Sequence, residues 1–235
     1  MKSLAMAEAR SPRMTKVREL ESLTGNCTWE LVDRPQDRIP VRCKWVFKIK
    51  YNVNGQIDRF KCRLVAKGFT QKPGLDYDEV FSPVVRHNTI RTVLAVAAAR
   101  KLKIRLFDVV TAFLNGELHE EIFMEQPPGF VHEGGKVLKL RKAIYGLKQA
   151  SRAWNQVLVQ ALKEINFSES TADPCLFSKG PNGPYIMIYV DDLVFIGEDE
   201  VTSNEVLLHL QGAKARILAS GHKIMKLASN FDYDW

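Results

Sequence analysis

The 235-residue sequence predicts an α+β fold in which helices cover one face of an antiparallel sheet. Three observations carry that expectation. Two alternating, lysine-rich strands flank a turn dipeptide between residues 44 and 67. Two helical stripes run over 88–101 and 151–165. Two β-rich, largely apolar stretches, 104–110 and 185–197, carry aspartates within them. The order is basic hairpin, helix, acidic strand, helix, acidic hairpin, so both acidic elements can share one sheet.

Composition narrows the class. With 46% hydrophobic residues the chain can bury a core, as one domain or one domain with a subdomain. The balance of 34 Lys+Arg against 27 Asp+Glu gives a net charge of +7, which favours a polyanionic partner. Cys27, Cys43, Cys62 and Cys175 form no C-x-x-C pair and have no histidine at ligand spacing, so they read as reduced thiols outside any zinc or redox motif. No apolar signal-like stretch or membrane-length run occurs, and the expectation is an intracellular, cytoplasmic chain with no membrane partner. The sequons at Asn26 and Asn166 read as chance matches.

Residues 1–28 are polar, carry Arg10, Arg13, Lys16 and Arg18, and show a weak helical pattern at Val17, Leu20 and Leu23; they read as a loosely attached leader. In 44–51, Trp45, Phe47, Ile49 and Tyr51 alternate with lysines. After Asn54-Gly55, Phe60, Cys62, Leu64 and Ala66 alternate with Arg59, Lys61, Arg63 and Lys67. Seven cations on the polar faces suit either a solvated surface or a basic hairpin that closes over phosphates. Residues 68–87 read as a loop. Asn88 is the expected cap of a helix carrying Ile90, Val93, Leu94 and Ala97. After the strand at 104–110, Asn115-Gly116 and Pro127-Pro128-Gly129 mark turns and Val137–Leu140 a short strand. Ser151 is then the expected cap of the clearest helix, with Trp154, Val157, Leu158, Ala161, Leu162 and Ile165 on its apolar stripe.

The acidic elements carry the chemistry. Asp191 and Asp192 sit between two apolar runs, where adjacent like charges repel and lose hydration unless a cation neutralises them. Taken alone the pair also fits an ordinary acidic β-turn, and a lone Asp108 fits a satisfied structural acid. Taken together, Asp108, Asp191 and Asp192 present hard oxygens suited to a two-metal site that promotes in-line attack on a phosphate.

Seven ordered segments then resemble a known family. They are Lys44–Lys48, Arg63–Gln71, Asp76-Tyr77, Phe81–Val84, Asp108–Gly116, Tyr145–Ala150 and Tyr189–Asp192. From about Trp29 to Gly197 the chain is similar to the reverse transcriptase domain of copia-type LTR retrotransposon Pol polyproteins. The resemblance implies an RNA-directed DNA polymerase with a right-hand fold, of which fingers and palm span 29–199. By motif match, Asp108, Asp191 and Asp192 would hold two Mg²⁺ ions. Lys61 and Arg63 would grip the incoming dNTP, with no ranking between them, and Tyr145 and Lys148 would line the nucleotide and template. Phe113 would exclude a ribose 2′-hydroxyl; on sequence alone an ordinary core Phe fits it equally. The implied partners are dNTPs and an RNA or DNA template with its primer, held through phosphates and shape; oligomeric state stays open.

Two places depart from the family pattern. Ser151 stands where many relatives have proline. Residues 200–235 read as a divergent tail, with thumb and RNase H segments absent. The alternative to an active polymerase is therefore a catalytically inactive, truncated transposon relic that retains nucleic-acid binding.

Overall fold

The structure, a computed structural model, describes residues 12–132, 134–212 and 216–219. The first eleven leader residues and the tail beyond 219 lie outside the described residues. Two compact units divide the chain: Met1–Val80 with Gly116–Trp154, and Phe81–Asn115 with Asn155–Trp235. No described helix is long and apolar enough to cross a membrane.

The first unit opens with α1 (Pro12–Gly25), followed by β1 (Trp29–Asp33) and the hairpin of β2 (Cys43–Tyr51) and β3 (Ile57–Ala66). The described part of the expected leader, from residue 12 on, is thus anchored rather than loose. Leu23 is buried, Glu19 Oε1 accepts the Leu64 N–H at 3.3 Å, and the Lys16 ammonium lies 5.6 and 5.5 Å from the Trp45 and Phe47 ring centroids. Polar side chains attach this helix through their stems and through charge–ring contacts, which an apolar stripe does not register. Burial raises the Glu19 pKa, only partly offset by the Leu64 N–H and the charges of Arg63 and Lys61.

The basic hairpin is turned as its Asn-Gly pair predicts. Gly55 takes φ +73°, and Asn52 Oδ1 accepts the N–H groups of Asn54 and Gln56, each at 3.0 Å. A second antiparallel sheet joins β1 to β6 (Lys136–Lys142) and β6 to β5 (Glu117–Met124). Strand β5 was not expected, although Ile122 and Met124 are fully buried while Glu117, His119 and Glu121 face water.

In the second unit, α2 (His87–Ala99) leads into β4 (Lys103–Val110). The helix begins one residue before the expected Asn88 cap, at an extended Arg86 that makes no side-chain capping bond of its own. Asp173 supplies the cap from far along the chain: its Oδ2 accepts the Arg86 N–H at 2.9 Å and the Thr89 hydroxyl at 2.6 Å. Helix α3 (Ala150–Glu164), which starts in the first unit and ends in the second, places Ser151 inside its first turn rather than at the cap, and buries Trp154, Leu158, Ala161 and Leu162 as its stripe predicts.

Next come β7 (Ser168–Glu169), β8 (Leu176–Ser178), β9 (Tyr185–Tyr189), β10 (Asp192–Gly197), α4 (Glu200–Gly212) and β11 (Arg216–Ala219). The six strands order as β11-β4-β10-β9-β8-β7, every neighbour antiparallel. Residues 200–212 and 216–219, in the stretch expected to be a divergent tail, thus form a helix and an edge strand of the sheet that carries the aspartates. The predicted α+β class with an antiparallel sheet holds. Both acidic elements lie on this one sheet, as their apolar flanks require: Leu193–Gly197 are buried without interruption, and the Phe107 and Phe195 rings meet 6.5 Å apart.

Candidate active site

Strand register sets two of the three acidic residues opposite each other. Asp192 is the direct cross-strand partner of Asp108, and Asp191 occupies the two-residue turn between β9 and β10. The Asp191 carbonyl accepts the Val109 N–H at 3.0 Å, tying that turn to β4. All three aspartates keep partial exposure, whereas Phe107, Val109 and Leu193 beside them are buried. They mark the rim of the apolar sheet, where a carboxylate retains hydration that the interior would remove. Like charges directly opposite on neighbouring strands nonetheless repel.

The backbone on both sides of this rim is strained. Val190 adopts φ +56° and Thr111, just beyond β4, φ +55°. A positive φ is a true outlier for a β-branched residue, and such outliers gather where function over-determines the backbone. Among the described residues no three His, Cys, Asp or Glu side chains converge into a group able to hold a metal. The donor chemistry still fits Mg²⁺, which takes hard oxygens and needs only one or two protein carboxylates. Phe113 lies in the 3₁₀ turn Ala112–Asn115, half-exposed between the buried Ala112 and Leu114, so the core of this turn belongs to its neighbours.

The other expected residues belong to the first unit. Register on the basic hairpin pairs Lys48 with Lys61 and Lys50 with Arg59, and sets Arg63 opposite Val46 and Lys44 opposite Val65. Six of the seven expected cations therefore share one face; Lys67 lies beyond the end of β3. Arg63 is held in place: its guanidinium carbon sits 3.9 Å from the Tyr145 ring centroid and its Nη2 donates to the Tyr145 hydroxyl at 2.8 Å. The Lys148 ammonium lies 5.0 Å from the Tyr77 ring centroid. Backbones meet closely here, because the Ala66 N–H donates to the Tyr145 carbonyl at 2.8 Å. A Cβ at Gly146, whose φ is +93°, would come within 2.1 Å of the Ala66 oxygen.

Sequence reasoning missed a groove of about 570 Å³ in the same unit, lined by Arg38, Arg42, Lys67 and Lys72 against Asp37 and Asp76. Phe69 on its wall is 79% exposed. Its signal was present as Lys67-Gly68-Phe69 within a recognised motif, but the chain-distant arginines were not readable as partners.

The sheet of the second unit carries paired aspartates at its rim, the hairpin of the first carries a cationic face, and comparison with known proteins shows the family. A family model described as reverse transcriptase (RNA-dependent DNA polymerase) matches residues 26–227, and the chain belongs to that family, in its copia-type branch. It is 46% identical over 187 residues to the retrovirus-related Pol polyprotein from transposon TNT 1-94 of Nicotiana tabacum, covering 77% of this chain and 14% of that one. It is 46% identical over 197 residues to the corresponding polyprotein from transposon RE1 of Arabidopsis thaliana, covering 82% and 13%. The chain thus spans about a seventh of the length of the curated relatives it matches. A foamy viral protease-reverse transcriptase, solved in complex with double-stranded DNA, aligns with TM-score 0.41 and 13% identity over 88% of this chain and 30% of that one.

Proposed function

We propose that this chain acts as an RNA-directed DNA polymerase, adding a dNTP to a primer 3′-hydroxyl on an RNA or DNA template. The observation that carries the reading is the register of Asp108 against Asp192 beside two strained, β-branched turn residues. Asp108, Asp191 and Asp192 would hold Mg²⁺. Bound there, the ions would supply a lowered pKa to the primer hydroxyl and positive charge against the reacting phosphate.

The remaining tasks fall to this chain's cations and rings. Lys61 and Arg63 bind the triphosphate, and its charge relieves the repulsion between the facing Lys48 and Lys61. Tyr145, oriented by Arg63, packs on the nucleotide, and Lys148 contributes charge at the same loop. Phe113 excludes a 2′-hydroxyl by occupying its space. The groove of Arg38, Arg42, Lys67 and Lys72 holds strand phosphates while Phe69 offers a stacking face.

A second reading is retained because the three aspartates do not converge into a metal-holding group among the described residues: nucleic-acid binding without chemistry. The deciding experiment is primer extension by the 235-residue chain on oligo(dT)-primed poly(rA) with Mg²⁺ and dTTP, beside Asp191→Asn/Asp192→Asn. The double variant is expected to fall below about one hundredth of wild-type incorporation while binding the heteroduplex equally or better. Equal incorporation by the two proteins refutes the metal assignment. Heteroduplex binding without extension by the wild type supports the second reading. In the same assay Phe113→Val is expected to raise use of rUTP relative to dTTP about tenfold; an unchanged ratio removes the gate.

A further inference from the structure

Three motif segments of the first unit contain polar residues that the proposed chemistry leaves unused: Gln71, Asp76 and Gln149, only 5%, 8% and 3% exposed. Buried amides survive in a core only when their donors and acceptors are matched. Here one assignment matches them. Gln71 Oε1 accepts the backbone N–H of Lys148 at 2.8 Å, which leaves Gln71 Nε2 to donate to Gln149 Oε1 at 3.1 Å. Gln149 Nε2 then donates to the Asp76 carbonyl at 2.8 Å, and Asp76 Oδ2 accepts the Lys72 N–H at 2.7 Å. Either amide turned over would set oxygen against oxygen or nitrogen against nitrogen.

This chain of bonds ends on the backbone of Lys148, three residues from Tyr145. On the other side the same loop is fixed by the Ala66 N–H to the Tyr145 carbonyl, and by Gly68, whose Cβ position lies 2.0 Å from the Gly146 oxygen. The loop is therefore held from both ends, by backbone at Tyr145 and by side-chain amides at Lys148. A Gln at each position is needed because each must accept with one atom and donate with the other. Ionised Asp and Glu cannot donate, and aliphatic residues do neither.

We propose that Gln71 and Gln149 are positioning residues: a buried amide latch that sets the Tyr145–Lys148 loop in its nucleotide-binding conformation without touching the nucleotide. The inference rests on the reading of Tyr145 and Lys148 as dNTP-binding. It separates two substitutions of similar size. Gln71→Leu removes the acceptor for the Lys148 N–H. Gln71→Glu keeps that acceptor, loses the donor to Gln149, and buries a charge. The latch requires Gln71→Leu to harm nucleotide binding more, whereas a merely structural role requires Gln71→Glu to be the worse of the two.

The test measures dTTP KM and kcat by primer extension, equilibrium dTTP binding with Mg²⁺, and native-state amide exchange at Lys148, for wild type, Gln71→Leu, Gln71→Glu and Gln149→Leu. Expected results are a KM raised about tenfold in Gln71→Leu with kcat within about twofold, a KM within about threefold of wild type in Gln71→Glu, and faster Lys148 exchange only where the acceptor is lost. Lost Lys148 protection with unchanged dTTP binding overturns the latch as a positioning device. So does a parallel fall in kcat and binding that tracks thermal stability. A wild type that extends no primer, while Gln71→Leu still weakens dTTP binding tenfold, sinks the polymerase reading and leaves the latch standing.

Discussion

The molecule has two charged hairpins, and they solve the same electrostatic problem in opposite ways. On β2–β3, Lys48 faces Lys61 and Lys50 faces Arg59, along a ribbon whose residues are mostly exposed. Water screens that repulsion, and the turn is relaxed, with Gly55 at φ +73° supported by Asn52. On β9–β10 the strands behind the charges are buried, Asp192 faces Asp108 on β4, and the turn passes through a valine at φ +56°. Nothing about local preference favours that arrangement. It persists because the sheet around it over-determines it, and under the proposed polymerase reading the acidic hairpin is where stability yields to chemistry.

The largest expected effect tests whether the sheet supplies that support. Phe195, 1% exposed on β10, packs against Phe107, whereas Phe47 on β2 is 47% exposed. Truncating Phe195 to alanine is expected to cost about 3–5 kcal/mol, and Phe47→Ala about 1 kcal/mol or less. Urea unfolding of both variants checks this; equal losses would mean that the two hairpins are supported alike and would break the comparison.

Asp173 sharpens it from another side, as a carboxylate whose environment is fully matched. It is completely buried, and besides capping α2 its Oδ1 accepts the Cys175 N–H at 2.9 Å. Burial pushes its pKa up, but the Thr89 hydroxyl, the Arg86 and Cys175 N–H groups and the Arg86 charge outweigh that and hold it below the ordinary carboxylate value. A depressed folded pKa contributes stability that is full above the unfolded value of about 3.9 and disappears as pH falls through the folded value. Asp173→Asn should therefore lose about 2–3 kcal/mol at pH 7, with the gap to wild type closing below about pH 4. A gap independent of pH would assign the loss to packing instead.

These residues also show what a sequence makes readable. The basic hairpin was legible because its information is local: period-two alternation and an Asn-Gly turn. The buried face of α3 was legible for the same reason. Asp108, Asp191 and Asp192 stood out because a carboxylate contradicts its apolar neighbours, and β-strand register then did what apolar flanks require. Asp173 and the groove arginines were not legible, since the residues they act with lie far along the chain and an Asp before a proline looks like any turn. Helix α1 was underread because its attachment runs through Lys16 and Glu19 rather than an apolar stripe. The amide latch was visible as letters within motifs, but only coordinates reveal that Gln71 and Gln149 address each other.

The smallest expected effect concerns the two turns directly. If Val190 is held at φ +56° against its own preference, relieving it should stabilise the protein while loosening the turn that carries Asp191. A left-handed conformation costs an L-residue about 1–2 kcal/mol, and glycine gives back about 0.5–1 kcal/mol through the entropy of the unfolded chain. Val190→Gly is thus expected to gain about 0.5–1 kcal/mol in urea unfolding and to lower primer extension. The relaxed turn answers in the reverse sense: Gly55→Val, which would force a β-branched residue to φ +73°, should lose a similar amount. Both substitutions acting with the same sign would show that the strain at Val190 is compensated locally. Opposite signs, with extension falling in the more stable Val190→Gly protein, would locate stored strain at the acidic turn and tie it to function.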